Sequence, residues 1–268
     1  MVTPWLFGTE VEVVLASDFG RAVFASSCYE PNELFLLSRL LAPASAFVDV
    51  GANMGLYSVA AGALVGSEGT VIAIEPSSRD RALLERNLAR NGLCVSVESC
   101  ALGDAEEGTG QLNVTDRIHP GQNTFGAVIY DKTEVVGRES VRITTLDMLL
   151  DARKLTRVDV VKVDVEGAEH ALLCGATRTL RELRPILMME LQEQSLVAQG
   201  SSAREVVRLL QEHDYELRCY SPPRGPRASP SDLSLGASLG MRPLEPADLA
   251  RSQDVVAVPA EKLSVLES

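Results

Sequence analysis

Strand-like apolar runs alternate with helix-like stretches along most of the chain. This alternation is typical of an α/β fold, in which crossover helices connect the strands of a mainly parallel sheet. The predicted strands are residues 46–50, 70–76, 95–102, 159–167, 184–192, 215–220 and 254–261. The predicted helices, from apolar spacing and capping residues, are 56–66, 77–92, about 168–183 and about 202–212.

The remaining segments are expected to decorate a single domain, since 268 residues with 46% hydrophobic content can bury one sizeable core. The core is predicted to span residues 46–268, behind a hairpin and short helix in residues 1–45. Residues 104–140 alternate weakly and are rich in turn residues, which indicates an excursion of short strands and loops. Residues 221–252 are rich in Pro, Ser and Gly and are predicted to form a mobile loop or lid.

Composition narrows the expected partners and location. The chain has 37 acidic and 25 basic residues, a formal charge of −12, so we expect neither nucleic acid nor a membrane surface as a partner. Five cysteines without a C-x-x-C pair do not indicate a disulfide framework. The sequence starts without an export signal pattern and has no apolar run of membrane-spanning length. These features predict a soluble, cytoplasmic protein.

The segment FVDVGANMGLYS joins the first predicted strand to the first predicted helix and is a candidate ligand site. Glycines at Gly51 and Gly55 allow the backbone to approach a ligand closely. A dinucleotide fingerprint would need glycine where this chain has Asn53 and Leu56, and a phosphate-binding loop would need a lysine here. The arrangement with Asp49 in front suits a ligand that has an amino group and no phosphate, as in class I S-adenosylmethionine binders.

Acidic residues at the carboxyl ends of other predicted strands give a second signal. Glu75 ends the second strand, where a carboxylate can accept hydrogen bonds from ribose hydroxyls, although NAD sites use such an acid too. Asp164 and Glu166 would point to the same side if the fourth strand persists that far. Glu166 and His170 are four residues apart and can share a helix face. Ligands bind outside the carboxyl ends of such strands, so we expect these residues at one crevice.

Several segments, in the same order, resemble those of the FkbM-type S-adenosylmethionine-dependent methyltransferases. They lie between about Tyr29 and Gln192 and read FVDVGANMGLYS, AIEP, ALGD, TTLDMLL, VVKVDVEGAEHALLCGA and PILMMEL. The resemblance implies a Rossmann-like class I fold, with a seven-stranded, mostly parallel sheet, an antiparallel last strand and helices on both faces. It also implies S-adenosylmethionine as the cofactor.

The same resemblance implies which residues bind that cofactor. They are Asp49, Gly51, Asn53, Gly55, Tyr57, Ser58, Glu75, Pro76, Cys100, Ala101 and Asp164. The glycine turn would hold the methionine part, and Glu75 would hold the ribose. The stretch from Cys100 to Leu102 would lie along the adenine, and Asp164 would lie near the transferred methyl group.

Known members of this family often methylate hydroxyl groups of sugars, macrolides and other secondary metabolites, so the resemblance implies O-methylation of a small molecule. The enzyme would align the acceptor oxygen for in-line displacement and accept its proton. The candidate proton acceptors, in order, are Asp164, Glu166, Glu190 and His170. Alternatively, Asp164 and Glu190, with Asn123 or His119, could hold Mg²⁺, and no other metal site is expected.

Other functions stay open at this point. They are N-methylation of a small molecule or protein, NAD-dependent oxidoreduction, and cofactor binding without catalysis. Base methylation typically uses an Asn/Asp-Pro-Pro-Tyr-like segment where this chain has Asp164-Val165-Glu166-Gly167. The segments least matched to the family, 1–28, 104–140 and 221–252, are expected to select the acceptor. The oligomeric state is not fixed, and a homodimer is one alternative.

Overall fold

The protein is represented by a computed structural model that describes residues 1–221 and 240–267. The strands are β1 (Val2–Pro4), β2 (Glu10–Glu12), β3 (Ala46–Val50), β4 (Thr70–Ile74), β5 (Ser96–Glu98), β6 (Cys100–Leu102), β7 (Gly108–Thr115), β8 (Val135–Thr144), β9 (Val160–Val163), β10 (Ile186–Leu191), β11 (Tyr215–Ser221), β12 (Gly240–Pro243) and β13 (Gln253–Pro259). The helices are α1 (Asp18–Ser26), α2 (Pro31–Leu40), α3 (Leu56–Val65), α4 (Ser78–Arg90), α5 (Leu146–Ala152), α6 (Glu169–Cys174), α7 (Glu193–Ala198), α8 (Ala203–Glu212) and α9 (Ser264–Glu267). Within these ranges, no helix has the length and apolar character needed to cross a membrane.

The core is an eight-stranded sheet with the strand order β12-β11-β13-β10-β9-β3-β4-β5. The strands β10, β9, β3, β4 and β5 are parallel, and β13 lies antiparallel between β10 and β11. The predicted α/β class and the sheet with an antiparallel last strand are therefore confirmed. The predicted count of seven strands is exceeded by one, because β12 pairs antiparallel with β11 at the sheet edge.

Helices cover both faces of this sheet, because successive side chains of a strand point to opposite sides. On one face, Phe47 of β3 and Val71 of β4 pack with residues of α2, α3 and α4. On the other face, Val48 and Ile72 pack with residues of α5, α6 and α8. All five residues of β3 are buried, which explains why this strand is apolar throughout except at Asp49.

Residues 1–45 pack against the core through specific hydrogen bonds. β1 and β2 form an antiparallel hairpin. The indole Nε1 of Trp5 donates to the carbonyl oxygen of Leu56 at 3.1 Å, and the Asn87 side chain of α4 accepts from the Glu12 amide at 2.6 Å. α1 and α2 follow the hairpin and reach the carboxyl end of the sheet, where the candidate site lies.

The prediction of one strand over residues 95–102 is wrong. Its first half, β5, pairs with β4 in the central sheet, whereas β6 belongs to a separate three-stranded sheet of order β6-β8-β7. Cys100 lies opposite Arg142 in that second sheet. A local alternation pattern carries no information about such a distant partner. The 104–140 segment contributes β7 and the first part of β8, which pair antiparallel.

The predicted loop over residues 221–252 can be compared with the structure only in part, since residues 222–239 lie outside the described residues. Within the rest of this segment, Gly240–Pro243 form β12 and Asp248–Ala250 form a short 3-10 helix. The prediction of a continuous loop is therefore wrong for this part. The backbone of Gly240–Pro243 is extended because it pairs with the open edge of β11.

The predicted helix 168–183 is interrupted at Gly175. A Cβ atom on Gly175 would lie 2.0 Å from the carbonyl oxygen of Gly103, so another segment of backbone passes close by. Beyond this point, the amides of Arg178 and Thr179 donate to the two carboxylate oxygens of Asp147 at 2.7 and 2.8 Å. The side chain of Asp147 thus satisfies amide groups at the restart of helical backbone.

We expect Gly175→Ala to lower the free energy of unfolding by about 1–3 kcal/mol, because the new methyl group would overlap the Gly103 carbonyl. Gly137→Ala is the matched control, since a Cβ atom there has no neighbour within 4 Å. Its effect should stay within about 0.5 kcal/mol. Urea denaturation measures both variants, and equal stabilities would contradict the close packing at Gly175.

Candidate active site

A cavity of about 930 Å³ opens at the carboxyl ends of β3, β9 and β10. This is the edge where ligands bind in open α/β sheets. Its walls come from the glycine turn after β3, from the ends of β9 and β10, and from α1 and α2. The predicted site residues that line it are Asp49, Gly51, Asn53, Tyr57, Asp164, Glu166 and Glu190.

The turn after β3 needs glycine at two positions for separate reasons. Gly51 has a φ of +81°, and a Cβ atom there would lie 1.8 Å from the carbonyl oxygen of Asp164. Gly55 has a φ of +89°, and a Cβ atom there would lie 2.5 Å from Cδ1 of Leu84. Glycine adopts such conformations without the strain that other residues incur. The turn therefore packs against the end of β9 on one side and against α4 on the other.

Asp49 is a buried acid with one unpaired oxygen. Its Oδ2 accepts a hydrogen bond from the Ser58 hydroxyl at 2.6 Å. Its Oδ1 is buried and has no hydrogen-bond partner in the part of the chain that the structure describes. Burial raises the pKa of Asp49, and the Lys162 ammonium opposes this effect. An unpaired buried acceptor is costly, so the residue fits a ligand N–H donor such as the amino group of S-adenosylmethionine.

Glu75 lines a second cavity of about 80 Å³ that adjoins the first and shares Asn53 and Asp164 with it. The other predicted cofactor residues on its lining include Pro76, Cys100 and Ala101. The Glu75 carboxyl group accepts hydrogen bonds from the backbone amides of Ser77 at 2.7 Å and Asn53 at 2.8 Å. Burial, followed by repulsion from Asp80, raises the pKa of Glu75 to about 8, while the two amide bonds lower it. The turn thus fixes this carboxyl group, whose remaining lone pairs can accept hydrogen bonds from ligand hydroxyls.

Lys162 is a buried cation of the site and was not predicted as a site residue. Its Nζ lies 3.0 Å from Oδ2 of Asp164 and 4.6 Å from the centroid of the Tyr57 ring. Burial disfavours the ammonium form, but the charges of Asp164, Glu30 and Asp49 outweigh it and raise the pKa of Lys162. Lys162 therefore stays charged and neutralises acids where β3 and β9 meet.

Glu30 brings the N-terminal segment into the site. It directly precedes Pro31, the first residue of α2, and has a φ of +49°. Its Oε2 accepts a hydrogen bond from the Tyr57 hydroxyl at 2.7 Å. Burial raises the pKa of Glu30 to about 7, and the Lys162 ammonium opposes this rise. The segment that was expected to precede the core therefore supplies an acid to the candidate site.

Glu166 lines both cavities, although its geometry differs from the prediction. β9 ends at Val163, and Glu166 has a φ of +50°, so the extended strand does not persist to Glu166. Its Oε2 accepts a hydrogen bond from the Tyr130 hydroxyl at 3.0 Å. Burial and the Asp164 charge raise the pKa of Glu166 to about 9, although the Tyr130 bond lowers it. Glu166 is therefore mostly protonated at neutral pH.

The prediction that His170 shares a helix face with Glu166 is wrong. α6 begins only at Glu169, because Glu166 and Gly167 both have positive φ angles that a helix does not allow. His170 contacts the Cys174 sulfur through Nδ1 at 4.0 Å. It is not among the residues that line the two cavities. Its predicted role as a proton acceptor gains no support from this position.

The predicted Mg²⁺ ligands are engaged with other groups. Asp164 is paired with Lys162, and Glu190 accepts a hydrogen bond from the Ser252 hydroxyl. The Asn123 amide group donates to Asp80 at 2.6 Å. Over residues 1–221 and 240–267, no group of three or more His, Cys, Asp and Glu side chains is arranged to hold a metal ion. The Mg²⁺ alternative therefore has no support in the structure.

A sequence model of the methyltransferase FkbM domain matches residues 49–217. The chain belongs to this family. The match starts at Asp49 and includes the glycine turn, Glu75, Asp164 and Glu190, whereas α1 and α2 with Glu30 precede it. The sheet of this FkbM protein is that of a class I S-adenosylmethionine-dependent methyltransferase with one added edge strand.

Three similar proteins represent the wider matches of this FkbM protein. It is 27% identical over 215 residues to the AMB antimetabolite synthetase AmbE of Pseudomonas aeruginosa, covering 66% of this chain and 10% of AmbE. It is 26% identical over 180 residues to Methyltransferase 1 of Beauveria bassiana, covering 58% of this chain and 65% of that protein. Among solved structures, an S-adenosylmethionine-dependent O-methyltransferase of Thermotoga maritima has a TM-score of 0.46 and 15% identity, covering 93% of this chain and 72% of that one.

Two site residues, Lys162 and Glu30, were not predicted, and the sequence contains a signal for only one of them. Lys162 is a lysine inside an otherwise apolar strand, β9, and such a residue is rarely buried unless it is paired. Its position two residues before Asp164 was therefore an available signal. The sequence contains no such signal for Glu30, because this residue lies in a segment whose path to the cavity depends on the packing of α1 and α2.

We expect the free energy of unfolding of the cofactor-free protein to fall as the pH rises from about 5 to 9. Glu75 and Glu166 have folded pKa values of about 8 and about 9, above their ordinary value of 4.5. The folded state therefore holds more protons than the unfolded state between these values, and each group contributes a slope of up to about −1.4 kcal/mol per pH unit. Urea denaturation at fixed ionic strength measures this dependence.

Glu75→Gln should flatten the pH dependence, because the amide no longer titrates. Glu85→Gln is the control, since Glu85 is exposed and should leave the slope unchanged. Stability that rises over this pH range, or identical slopes in the two variants, would show that Glu75 does not hold a proton in the folded state.

Proposed function

We propose that this FkbM-family protein transfers the methyl group of S-adenosylmethionine to a hydroxyl group of a small molecule. The observation that carries the proposal is the position of Asp164. Its backbone contacts the glycine turn at Gly51, and its side chain lines the main cavity. β9 lies between β3 and β10, so Asp164 separates the proposed cofactor residue Asp49 from the Glu190 side of the cavity.

The residues of the site fit this cofactor. When bound, S-adenosylmethionine supplies an activated methyl group on a positively charged sulfur. Asp49 would accept a hydrogen bond from its amino group, and Glu75 would accept hydrogen bonds from its ribose hydroxyls. Pro76, Cys100 and Ala101 line the adjoining small cavity and would contact the adenine.

Asp164 is the acid in the cavity best suited to accept the proton of an acceptor hydroxyl. As the new oxygen–carbon bond forms, the O–H bond breaks and its proton passes to this carboxylate. Its Oδ2 pairs with the Lys162 ammonium at 3.0 Å, which fixes the side chain at the wall of the cavity. Glu166 is less suited, because a pKa of about 9 leaves it protonated at neutral pH.

The size and lining of the cavity support a small molecule as the acceptor. A volume of about 930 Å³ lies within the range of about 300–1,000 Å³ for small-molecule and cofactor sites. Phe19 and Arg21 of α1 and Glu30 line it, and they lie outside the segment that matches the family model. These residues would therefore select the acceptor. The net charge of −12 disfavours a nucleic acid acceptor.

We expect Asp164→Asn to lower methyl transfer by about 10²–10⁴-fold, the usual contribution of a general base. The affinity for S-adenosylhomocysteine should change by less than about threefold, because the Gly51 contact uses the Asp164 backbone, which the substitution keeps. An S-adenosylhomocysteine-release assay over glycosides, polyketides and amino-modified acceptors measures transfer, and calorimetry measures binding.

Asp131→Asn is the matched control, because Asp131 is exposed and lies outside both cavities. Transfer by Asp164→Asn within about threefold of the parent protein would rule out Asp164 as the base. Methylation at nitrogen, read from the product by mass spectrometry and NMR, would favour N-methyltransferase activity. Cofactor binding without transfer to any acceptor in the panel would contradict small-molecule O-methylation.

A further inference from the structure

A side pocket of about 20 Å³ branches from the main cavity near β10, β11 and β13. This volume holds one water molecule or one group of similar size, such as an ammonium. The acids that line the side pocket are Glu30, Glu33, Asp164, Glu190 and Asp254. Among the described residues, none of the glycine turn from 51 to 55 lines it. The side pocket therefore lies apart from the glycine turn, and of the predicted cofactor residues only Tyr57 and Asp164 are among the described residues that line it.

The lining of the side pocket is rich in carboxyl groups. Among the residues that the structure describes, five carboxyl groups line it beside one ammonium group, that of Lys162, which is paired with Asp164 at 3.0 Å. Glu33 and Asp254 hydrogen-bond each other, which requires a shared proton. Arg21 and His119 line the main cavity but not the side pocket. This composition favours a cation over a neutral or anionic group.

Tyr220 supplies a second, independent observation. The residue is 2% exposed, and its hydroxyl is buried without a hydrogen-bond partner in the described ranges. It lines the side pocket. Burial and the nearby charges of Glu33, Asp254 and Glu30 raise the pKa of Tyr220. Buried hydroxyls are normally paired, so a partner from outside the chain would complete the environment of Tyr220.

We propose that the side pocket binds a primary ammonium group of the methyl acceptor, which is therefore an amino alcohol or an amino sugar. This inference rests on the proposed function. The three N–H donors of an ammonium group would meet the Tyr220 oxygen and carboxyl oxygens of Glu30 and Glu33. The rest of the acceptor would extend into the main cavity, which shares Glu30 and Asp164 with the side pocket.

This binding mode also explains why oxygen rather than nitrogen would be methylated. An ammonium group held by carboxylates keeps its proton and has no lone pair to form a new bond. A hydroxyl group on the same molecule would lie toward Asp164, which can accept its proton. The side pocket would therefore orient the acceptor and protect its nitrogen.

The test is calorimetric binding of matched compound pairs to the protein saturated with S-adenosylhomocysteine at neutral pH. The pairs are D-glucosamine with D-glucose, and trans-2-aminocyclohexanol with trans-1,2-cyclohexanediol, so each pair differs only in the amine. At least one amine should bind about tenfold or more tightly than its hydroxyl counterpart, because charge-assisted hydrogen bonds replace neutral ones. Tyr220→Phe should reduce this preference by at least about threefold, and Glu33→Gln by at least about tenfold.

Tyr215→Phe is the matched control, because the Tyr215 hydroxyl is also buried without a partner among the described residues but lines none of the three cavities. It should keep the amine preference, and all variants should keep S-adenosylhomocysteine affinity. Two results would overturn the inference. In the first, no amine binds more tightly than its hydroxyl counterpart, and the side pocket holds a water molecule. In the second, Tyr220→Phe and Glu33→Gln both keep the preference for the amine. If the inference fails but neutral hydroxyl compounds are still methylated, the proposed function stands. If the parent protein does not bind S-adenosylhomocysteine, the proposed function itself is contradicted.

Discussion

The buried ammonium of Lys162 is the interaction on which the arrangement of the site depends. A buried cation without partners costs several kcal/mol, so the fold has to supply negative charge around it. Asp49 comes from β3, Asp164 follows β9, and Glu30 comes from the N-terminal segment. The Tyr57 ring packs under the ammonium and its hydroxyl bonds to Glu30. One cation therefore connects three parts of the chain at the carboxyl edge of the sheet.

The same cation divides the acids of the cavity into two classes. Lys162 carries one positive charge, which opposes the rise in pKa that burial causes at Asp49 and Glu30. Asp164 is in direct contact with the ammonium. Glu166 has no such contact, and its pKa is raised to about 9. Two acids that differ so in their environment suit different chemical roles. The division is our reason for proposing Asp164, rather than the neighbouring Glu166, as the proton acceptor.

The sequence predicts those parts of the molecule that depend on local pattern. Strands buried on both faces read as apolar runs, and the carboxyl ends of parallel strands meet at one edge, so Asp49 and Asp164 were expected at one crevice. The single strand over 95–102 was wrong because its two halves pair with different partners, one of them distant in sequence. The position of Glu30 depends on how α1 and α2 pack, and no local pattern encodes that packing. Lys162 lies within a strand, whereas the general rule for ligand sites in such sheets points to the strand ends.

The charge balance of the proposed reaction follows from this arrangement. Methyl transfer removes the positive charge of the sulfonium, and proton transfer removes the negative charge of Asp164, so the net charge of the cavity is unchanged. The Lys162 ammonium, however, then faces a neutral acid instead of a carboxylate. Its Nζ lies 3.0 Å from Oδ2 of Asp164 in the free site. The proposed transfer would therefore break the ion pair on which the arrangement of the free site depends.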